Sequence, residues 1–329
     1  MGRRPGEFDL IARHFAPLAG AERVLALGLT DDAAILKQAV GQDLVVTADA
    51  LVAGVHFLPD DPADLVARKA LRVNLSDLAA KGARPLAYLV CLSLPATIDE
   101  PWIAAFAAGL GADQAEFGIA MAGGDTTSTP GPLTIAITAI GEVRTGEMRR
   151  RAGAQLGDEV WVSGSIGDAA LGLRALRGDG MPGLAPAARA FLVDRYRIPR
   201  PRVALGLELP GYGIAAMDVS DGLVQDLGHI LRLAGCGAIL NLPEIPLSPA
   251  ASAVIRADAA ALDQALSGGD DYELLLVAPP ELGAAIQEAG LRATTPVRRI
   301  GVLVEGEGVV LRAADGAMRR LARGGWTHF

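Results

Sequence analysis

The chain has little of what most ligand sites are built from. Its 329 residues contain Cys 2 and His 4, too few to gather the thiolates and imidazoles of a zinc or copper centre. Cys91 and Cys236 are far apart and flanked by apolar residues, which predicts buried free thiols in a reducing cytosol rather than a disulfide framework. Of 30 basic residues only Lys37, Lys69 and Lys81 are lysines, and none closes a G-x-x-x-x-G-K-[ST] loop, so a Walker-type phosphate site is excluded. The nearest dinucleotide pattern, Gly109-Leu-Gly111, has Gln114 in place of the third glycine and follows the helical stretch Trp102–Leu110 rather than a strand. No apolar run approaches the roughly 18 residues that a membrane span needs. In the opening MGRRPGEFDLIARHFAPL, Phe8, Ile11, Phe15 and Leu18 are spaced for one helix face and charges break any apolar core, so the segment reads as a helix and not as an export signal.

What is present fits an α/β protein of two domains. The composition is 51% hydrophobic and 21% charged, with Gly 40 and Pro 20. A net charge of −8 and pI near 5.1 argue against a DNA or RNA partner, while a phosphorylated small molecule remains possible if a metal ion mediates the contact. Strand and helix signals alternate along the first half. Apolar runs occur at Val24–Leu27, Ala33–Leu36 and Leu44–Thr47, and an amphipathic helix is expected over Ala63–Lys81. A strand follows at Leu86–Leu94, a helix at Glu100–Phe117, and strands at Ile119–Ala122 and Leu133–Glu142 around a glycine turn, AGGDTT. The basic segment 146–159 has no periodicity and marks the boundary between domains 1–147 and 148–329. The second half is expected to carry a strand at Val160–Ser163, a helix from Asp168, a surface loop over 178–188, a helix over Gly222–Ala234, and further alternating elements to Leu311.

The carboxylates recur in one setting, the end of an apolar run beside a turn or a helix start. They stand in LTDDAAIL (Asp31, Asp32), VVTADALV (Asp49), NLSDLAAKG (Asp77), MAGGDTT (Asp125), AMDVSDG (Asp218, Asp221) and LSGGDDYEL (Asp270, Asp271). No Lys or Arg lies between Arg202 and Arg232 to neutralise the central group. Strand ends of α/β folds converge where ligands bind, and converging carboxylates repel one another unless cations are present. Oxygen donors without Cys or His suit Mg²⁺, which keeps open positions for water and substrate phosphates. The pattern therefore points to a nucleotide-using phosphoryl-transfer site without a P-loop. Each motif also has a structural reading: Asp218 or Ser220 as a helix cap, Asp77 paired with Lys81 one turn on, and Gly123-Gly124-Asp125 as an ordinary turn.

Together, the motifs TADALVAGVHF, ARKALRVNLSDLAAKGARP, GGDTT, RRRAGAQLGDEVWVSGSIGDAALG, MDVSDGLVQDLGHI, SGGDDYELL and the closing GWTHF resemble the thiamine-monophosphate kinases, within the superfamily of ATP-binding enzymes that includes aminoimidazole ribonucleotide synthetase. The resemblance covers nearly the whole chain. It implies a two-domain aminoimidazole ribonucleotide synthetase-like fold: an N-terminal α/β domain whose sheet dimerises, and a C-terminal α/β domain that completes the active-site cleft. It also implies a cytoplasmic homodimer that transfers the γ-phosphoryl of ATP directly to thiamine monophosphate, with several Mg²⁺ ions and no phosphoenzyme.

Carried over residue by residue, the resemblance implies Mg²⁺ ligands at Asp31, Thr47, Ala48, Asp49, Asp77, Asp125, Asp218 and Asp221. Nucleotide contacts fall at Gly124, Asp125, Arg151 and Ser220, and thiamine-side contacts at His56, Asp270 and Trp326. Asp125, Asp218 and Arg151 carry the catalytic charge handling. The sequence departs from the family pattern in three places. Thr30 stands where glycine is common, Ala48 stands where a hydroxyl residue is common so that only its backbone can serve, and Asp270 replaces a longer glutamate. Two other readings stay open at this point: another member of the superfamily, working through an acyl-phosphate or iminophosphate intermediate, and a non-catalytic Mg–nucleotide-binding module.

Overall fold

The computed structural model describes residues 6–30, 33–178, 181, 183–322 and 324–326. The chain folds as two compact units, Met1–Leu78 with Ala83–Gly146, and Ala79–Gly82 with Glu147–Phe329.

The first unit opens with a short helix, α1 (Glu7–Leu10), whose helical path continues to Leu18. Phe15 is buried, whereas Phe8 is 82% exposed, so the expected apolar face is only partly used. Strands β1 (Val24–Leu25) and β2 (Ile35–Leu36) pair with each other. A four-stranded sheet follows, built from β3 (Gln42–Val52), β4 (Arg84–Leu94), β5 (Ala120–Ser128) and β6 (Thr134–Arg144) in the order β3-β6-β4-β5. Helices α2 (Ala63–Lys81) and α3 (Glu100–Phe117) belong to this part of the chain. The side chain of Asp99 caps α3 by accepting from the Trp102 amide, and Gly118 ends it in a left-handed conformation. Gly109 and Gly111 lie inside α3, which removes the dinucleotide pattern from consideration.

The expected amphipathic character of α2 does not hold. The helix is buried on nearly every side, Lys69 and Arg72 included. Arg72 survives burial because its guanidinium grips both oxygens of Asp113 at 2.8 Å and lies over the Phe117 ring. Buried charge is tolerated when it is paired in this way.

The second unit contains β7 (Glu159–Ser163), α4 (Asp168–Leu176), α5 (Pro186–Arg197), α6 (Val203–Glu208), β8 (Ala215–Asp218), α7 (Leu223–Ala234) and β9 (Gly237–Asn241). It continues through α8 (Pro249–Ala257), α9 (Ala261–Ser267), β10 (Leu274–Ala278), α10 (Gly283–Arg292), β11 (Val297–Val304), β12 (Gly308–Arg312) and β13 (Met318–Arg319). Its seven strands run β13-β12-β9-β11-β7-β10-β8, antiparallel except where β12 lies parallel to β9. Val160, Val162, Met217 and Leu275 from the sheet pack with Leu227 and Ile230 of α7 in one core. Part of the expected loop over 178–188 lies outside the described residues, and its end is the start of α5, which opens on Pro186. Helices α5 and α9 lie outside the elements expected from sequence, although their buried residues recur four apart, Leu192 and Tyr196 in the one and Ala261 and Ala265 in the other.

Candidate active site

In the first unit the acids stand within the edge strands β3 and β5 and on helix α2. Asp49 stands in the middle of β3 rather than at a strand end, which corrects that expectation, while Asp77 falls in α2, within the helix expected over Ala63–Lys81. The Thr47 hydroxyl donates to Asp77 Oδ2 at 2.5 Å. Burial, and then the nearby charge of Asp77, push the Asp49 carboxyl up to about 6, and no cation appears among the causes to pull it back. Lys81 sends its ammonium to the Ala216 carbonyl at 2.9 Å. Two oxygen-bearing acids and a hydroxyl gathered without thiol or imidazole suit a hard divalent ion, so these donors fit Mg²⁺. Asp31 lies outside the described residues. Ala48, between Thr47 and Asp49, is exposed.

GGDTT is not a turn. Gly123, Gly124 and Asp125 lie within β5, paired with β4 past a bulge between Tyr88 and Leu89. A Cβ on Gly124 would meet the Val90 carbonyl oxygen at 1.9 Å, so the close strand approach is open only to glycine. Ala50, Ala136, Cys91 and Asp125 stand abreast across the sheet, and Asp49, Ile137, Val90 and Gly124 form the next row. Successive rows of a pleated sheet point to opposite faces. Asp125 therefore faces away from Asp49 within this unit. The same geometry corrects the expectation for Cys91, which is exposed, while Cys236 is buried. Beside Gly124 and Asp125 lies an apolar cavity of about 330 Å³ whose walls include Phe15, Leu29, Leu92 and Met121.

His56 follows the end of β3, and its ring Nδ1 accepts the Val52 amide at 3.0 Å, which puts the proton of the neutral ring on Nε2.

In the second unit the motif DVSDGL is wound around a residue downstream of it. Asp226 Oδ2 accepts three backbone amides, from Ser220 at 2.9 Å, Asp221 at 3.0 Å and Gly222 at 3.1 Å. Helix α7 has Gly222 at its N-cap and no side-chain cap there, so the capping readings of Asp218 and Ser220 give way to Asp226. Burial and the charge of Asp221 outweigh those amide bonds and push the Asp226 carboxyl up to about 7. Donor atoms of Asp221, Asp226 and His229 lie within 4.8 Å of one another. Burial, Arg232 and Arg151 lower the basicity of His229. Asp218, the buried last residue of β8, is matched with Leu274 of β10.

The three arginines 149–151 separate by role. Arg149 is buried and donates to the carbonyls of Ala80, Leu209 and Pro210 at 3.1 to 3.3 Å, and burial lowers its pKa to about 10. Arg150 joins Ala215 in an isolated bridge. Arg151 is exposed and open to a ligand. At the far end of the chain, the Trp326 amide donates to the Asp221 carbonyl at 3.0 Å, which brings Trp326 beside the DVSDGL turn.

The loop before β10 brings its residues onto that same turn. Asp270 and Tyr272 donate their amides to the carbonyls of Ser220 and Val219, both at 2.8 Å. Both have left-handed backbones, with φ of 73° and 51°, a conformation that non-glycine residues hold only when their surroundings impose it. A Cβ on Gly269 would meet the Ser220 carbonyl oxygen at 2.2 Å. Ser220, Asp221, Asp270 and Trp326 are thus neighbours. His229 and Glu273 were not singled out from sequence, and Asp226 and Asp271, though they stand among the recurring carboxylates, were given no role in the site. The signals that reveal them are the helical spacing of Asp226 and His229 and the period-two alternation of acids in DDYEL.

The comparisons agree with this architecture. The family described as AIR synthase related protein, N-terminal domain, matches residues 30–143, and its C-terminal domain matches residues 155–314. These two domains define the class. The thiamine-monophosphate kinase of Caulobacter vibrioides is 44% identical over 329 residues, covering 98% of this chain and 91% of the relative. A crystal structure of thiamine-monophosphate kinase from Stenotrophomonas maltophilia K279a superposes with a TM-score of 0.83 at 42% identity, over 94% of this chain and 97% of the other. A structure of AaThiL complexed with AMPPCP and TMP gives a TM-score of 0.76 at 29% identity, over 98% and 97%. The chain belongs to the thiamine-monophosphate kinase family of AIR synthase related proteins.

Proposed function

We propose that this chain uses Mg·ATP to phosphorylate thiamine monophosphate, giving thiamine diphosphate and ADP by direct in-line transfer. The observation that carries the reading is the Asp49–Asp77 pair, two acids held close enough for the Asp77 charge to raise the Asp49 carboxyl, with the Thr47 hydroxyl bonded to Asp77, in a chain 44% identical to a thiamine-monophosphate kinase. A solved relative bound to AMPPCP and TMP supports the same pair of ligand types. The acceptor is a phosphate oxygen, already deprotonated near neutral pH, so the site needs charge neutralisation and alignment more than a general base. That matches a chain rich in aspartate and poor in histidine.

Thr47, Asp49, Asp77, Asp125, Asp218 and Asp221 are the described side chains assigned to Mg²⁺, with Asp31 and the Ala48 backbone completing the set. Bound Mg²⁺ neutralises the developing charge on the phosphates. Gly124 lets backbone approach the nucleotide, with the apolar cavity beside it suited to the base. Arg151 contacts the ATP phosphates and the Ser220 hydroxyl the nucleotide. His56, Asp270 and Trp326 take the thiamine side, where an aromatic face attracts a cationic thiazolium. Asp125, Asp218 and Arg151 carry the catalytic charge handling. Domains 1–147 and 148–329 divide this work.

The assembly we propose is a cytoplasmic homodimer. Leu44, Val46 and Leu89 are exposed on the first unit's sheet, an apolar face suited to a second copy, and light scattering on the purified protein tests it.

Incubation of the purified protein with Mg·ATP and thiamine monophosphate tests the reaction. Stoichiometric thiamine diphosphate and ADP are expected. Binding of both ligands without product would mark a nucleotide-binding module, and turnover of an aminoimidazole precursor instead would mark another member of the superfamily.

A further inference from the structure

The motif SGGDDYEL holds three acids of different fates. Asp270 is part-exposed, while Asp271 and Glu273 are buried, at 1% and 0% exposure. Asp271 spends its carboxylate on backbone: Oδ2 accepts the Gly167 amide at 2.6 Å and Oδ1 the Ala169 amide at 3.2 Å. These amides belong to the N-cap and second residue of α4, where helix donors otherwise go unsatisfied. On either side of Asp271 stand the two left-handed residues, Asp270 and Tyr272. The Tyr272 hydroxyl turns back to Asp270 Oδ1 at 3.2 Å. The loop is thus fixed at three places: by amides to Val219 and Ser220, by the tyrosine hydroxyl, and by the Asp271 carboxylate reaching to α4.

From this geometry we infer that Asp271 is a positioning residue for the thiamine-side contact: its buried carboxylate fastens the loop to the first turn of α4 and so holds Asp270 in its left-handed, ligand-facing conformation. The inference rests on the assignment of Asp270 to the thiamine moiety proposed above. Asp271 touches no substrate. Freed from α4, the loop relaxes towards right-handed backbone, and Asp270 swings out of alignment while the DVSDGL turn keeps its own support from Asp226.

Steady-state kinetics with thiamine monophosphate and Mg·ATP varied separately test this. Asp271→Asn, which turns an amide NH₂ towards a backbone donor, is expected to lower kcat/KM for thiamine monophosphate by about 10- to 100-fold. The KM for ATP is expected to stay within about twofold of wild type. In an Asp270→Ala background the same change is expected to add nothing, since it acts through Asp270. An equal fall in both kcat/KM values, or additive losses in the double variant, overturns the inference. If Asp271→Asn does not fold, Ala169→Pro removes one of the two amides at a helix position where proline costs no helical bond, and it must show the same split between the two substrates. Wild-type protein without thiamine monophosphate turnover overturns the functional reading and this inference together. Wild-type turnover with additive losses overturns this inference alone.

Discussion

Thr47 and Asp77 join the middle of a strand to a helix through one hydroxyl–carboxylate bond of 2.5 Å. The bond orients the Asp77 carboxylate and leaves its other oxygen for a ligand. Thr47→Val keeps the shape and removes the donor. It is expected to destabilise the metal-free protein by about 1 kcal/mol and to raise the Mg²⁺ concentration for half-maximal turnover by about tenfold. Thermal melts and a Mg²⁺ titration of the rate check both, and Thr47→Ser restores both.

Asp49 carries the opposite trade. Its carboxyl is raised to about 6 from the ordinary value of 3.8, so between these values the folded chain holds a proton that the unfolded chain releases. The cost is absent below pH 4, grows between pH 4 and pH 6, and is complete above it. Asp49→Asn is therefore expected to make the metal-free protein more stable at pH 8 by up to about 3 kcal/mol, to change nothing at pH 3.5, and to abolish Mg²⁺-dependent activity. Denaturant titrations at the two pH values without metal measure the first effect. Equal shifts at both would show that packing, not ionisation, explains the gain.

How much of this could be read beforehand depended on the range of the forces involved. Helices α2 and α3 fall where Ala63–Lys81 and Glu100–Phe117 were expected, because left-handed Gly82 just after α2, and the Asp99 cap and Gly118 of α3, mark their ends locally. The strand character of GGDTT was hidden, since glycines read as a turn until the bulge at Tyr88 and the Val90 carbonyl supply a partner. The acids were legible as a group, but their faces were not. Which side of the sheet Asp125 takes follows from its register against Cys91 and Ala136, a long-range fact. Likewise Asp226 could be read as a helix residue but not as the hub of three amides, which depends on the turn closing over it.

Gly124 offers a sharper test of the β5 register. An alanine Cβ there would sit 1.9 Å from the Val90 carbonyl oxygen, a contact that only a strand shift can relieve. Gly124→Ala is expected to lose about 3 kcal/mol of stability, in the range of backbone-strain and overpacking effects, and to weaken ATP binding with it. Gly131→Ala, whose Cβ meets nothing nearer than the Thr129 hydroxyl at 3.4 Å, serves as the control and is expected to leave both unchanged. Calorimetric melts and nucleotide titration separate the two variants. A Gly124→Ala protein as stable as wild type would refute the close strand approach.

Glu273 tests the buried charges under the ligand loop. It is fully buried, accepting from Ser163 at 2.6 Å, from Arg195 at 2.9 Å and from Nε and Nη2 of Arg202 at 2.6 and 2.5 Å. Burial alone would raise its carboxyl, but Arg202 first, then Arg195 and Ser163, bring it below the ordinary glutamate range. Its contribution to stability is thus present above that range and lost as the pH falls through the lowered value. Glu273→Gln leaves Arg195, 3% exposed, facing a neutral partner. The loss expected near neutral pH is about 3–5 kcal/mol, shrinking in acid as the wild-type carboxylate is itself protonated. Unfolding curves from pH 7 to pH 3 should therefore converge for the two proteins. Parallel curves would mean that the glutamate acts by shape and hydrogen bonding, and that its charge does not matter to the arginines around it.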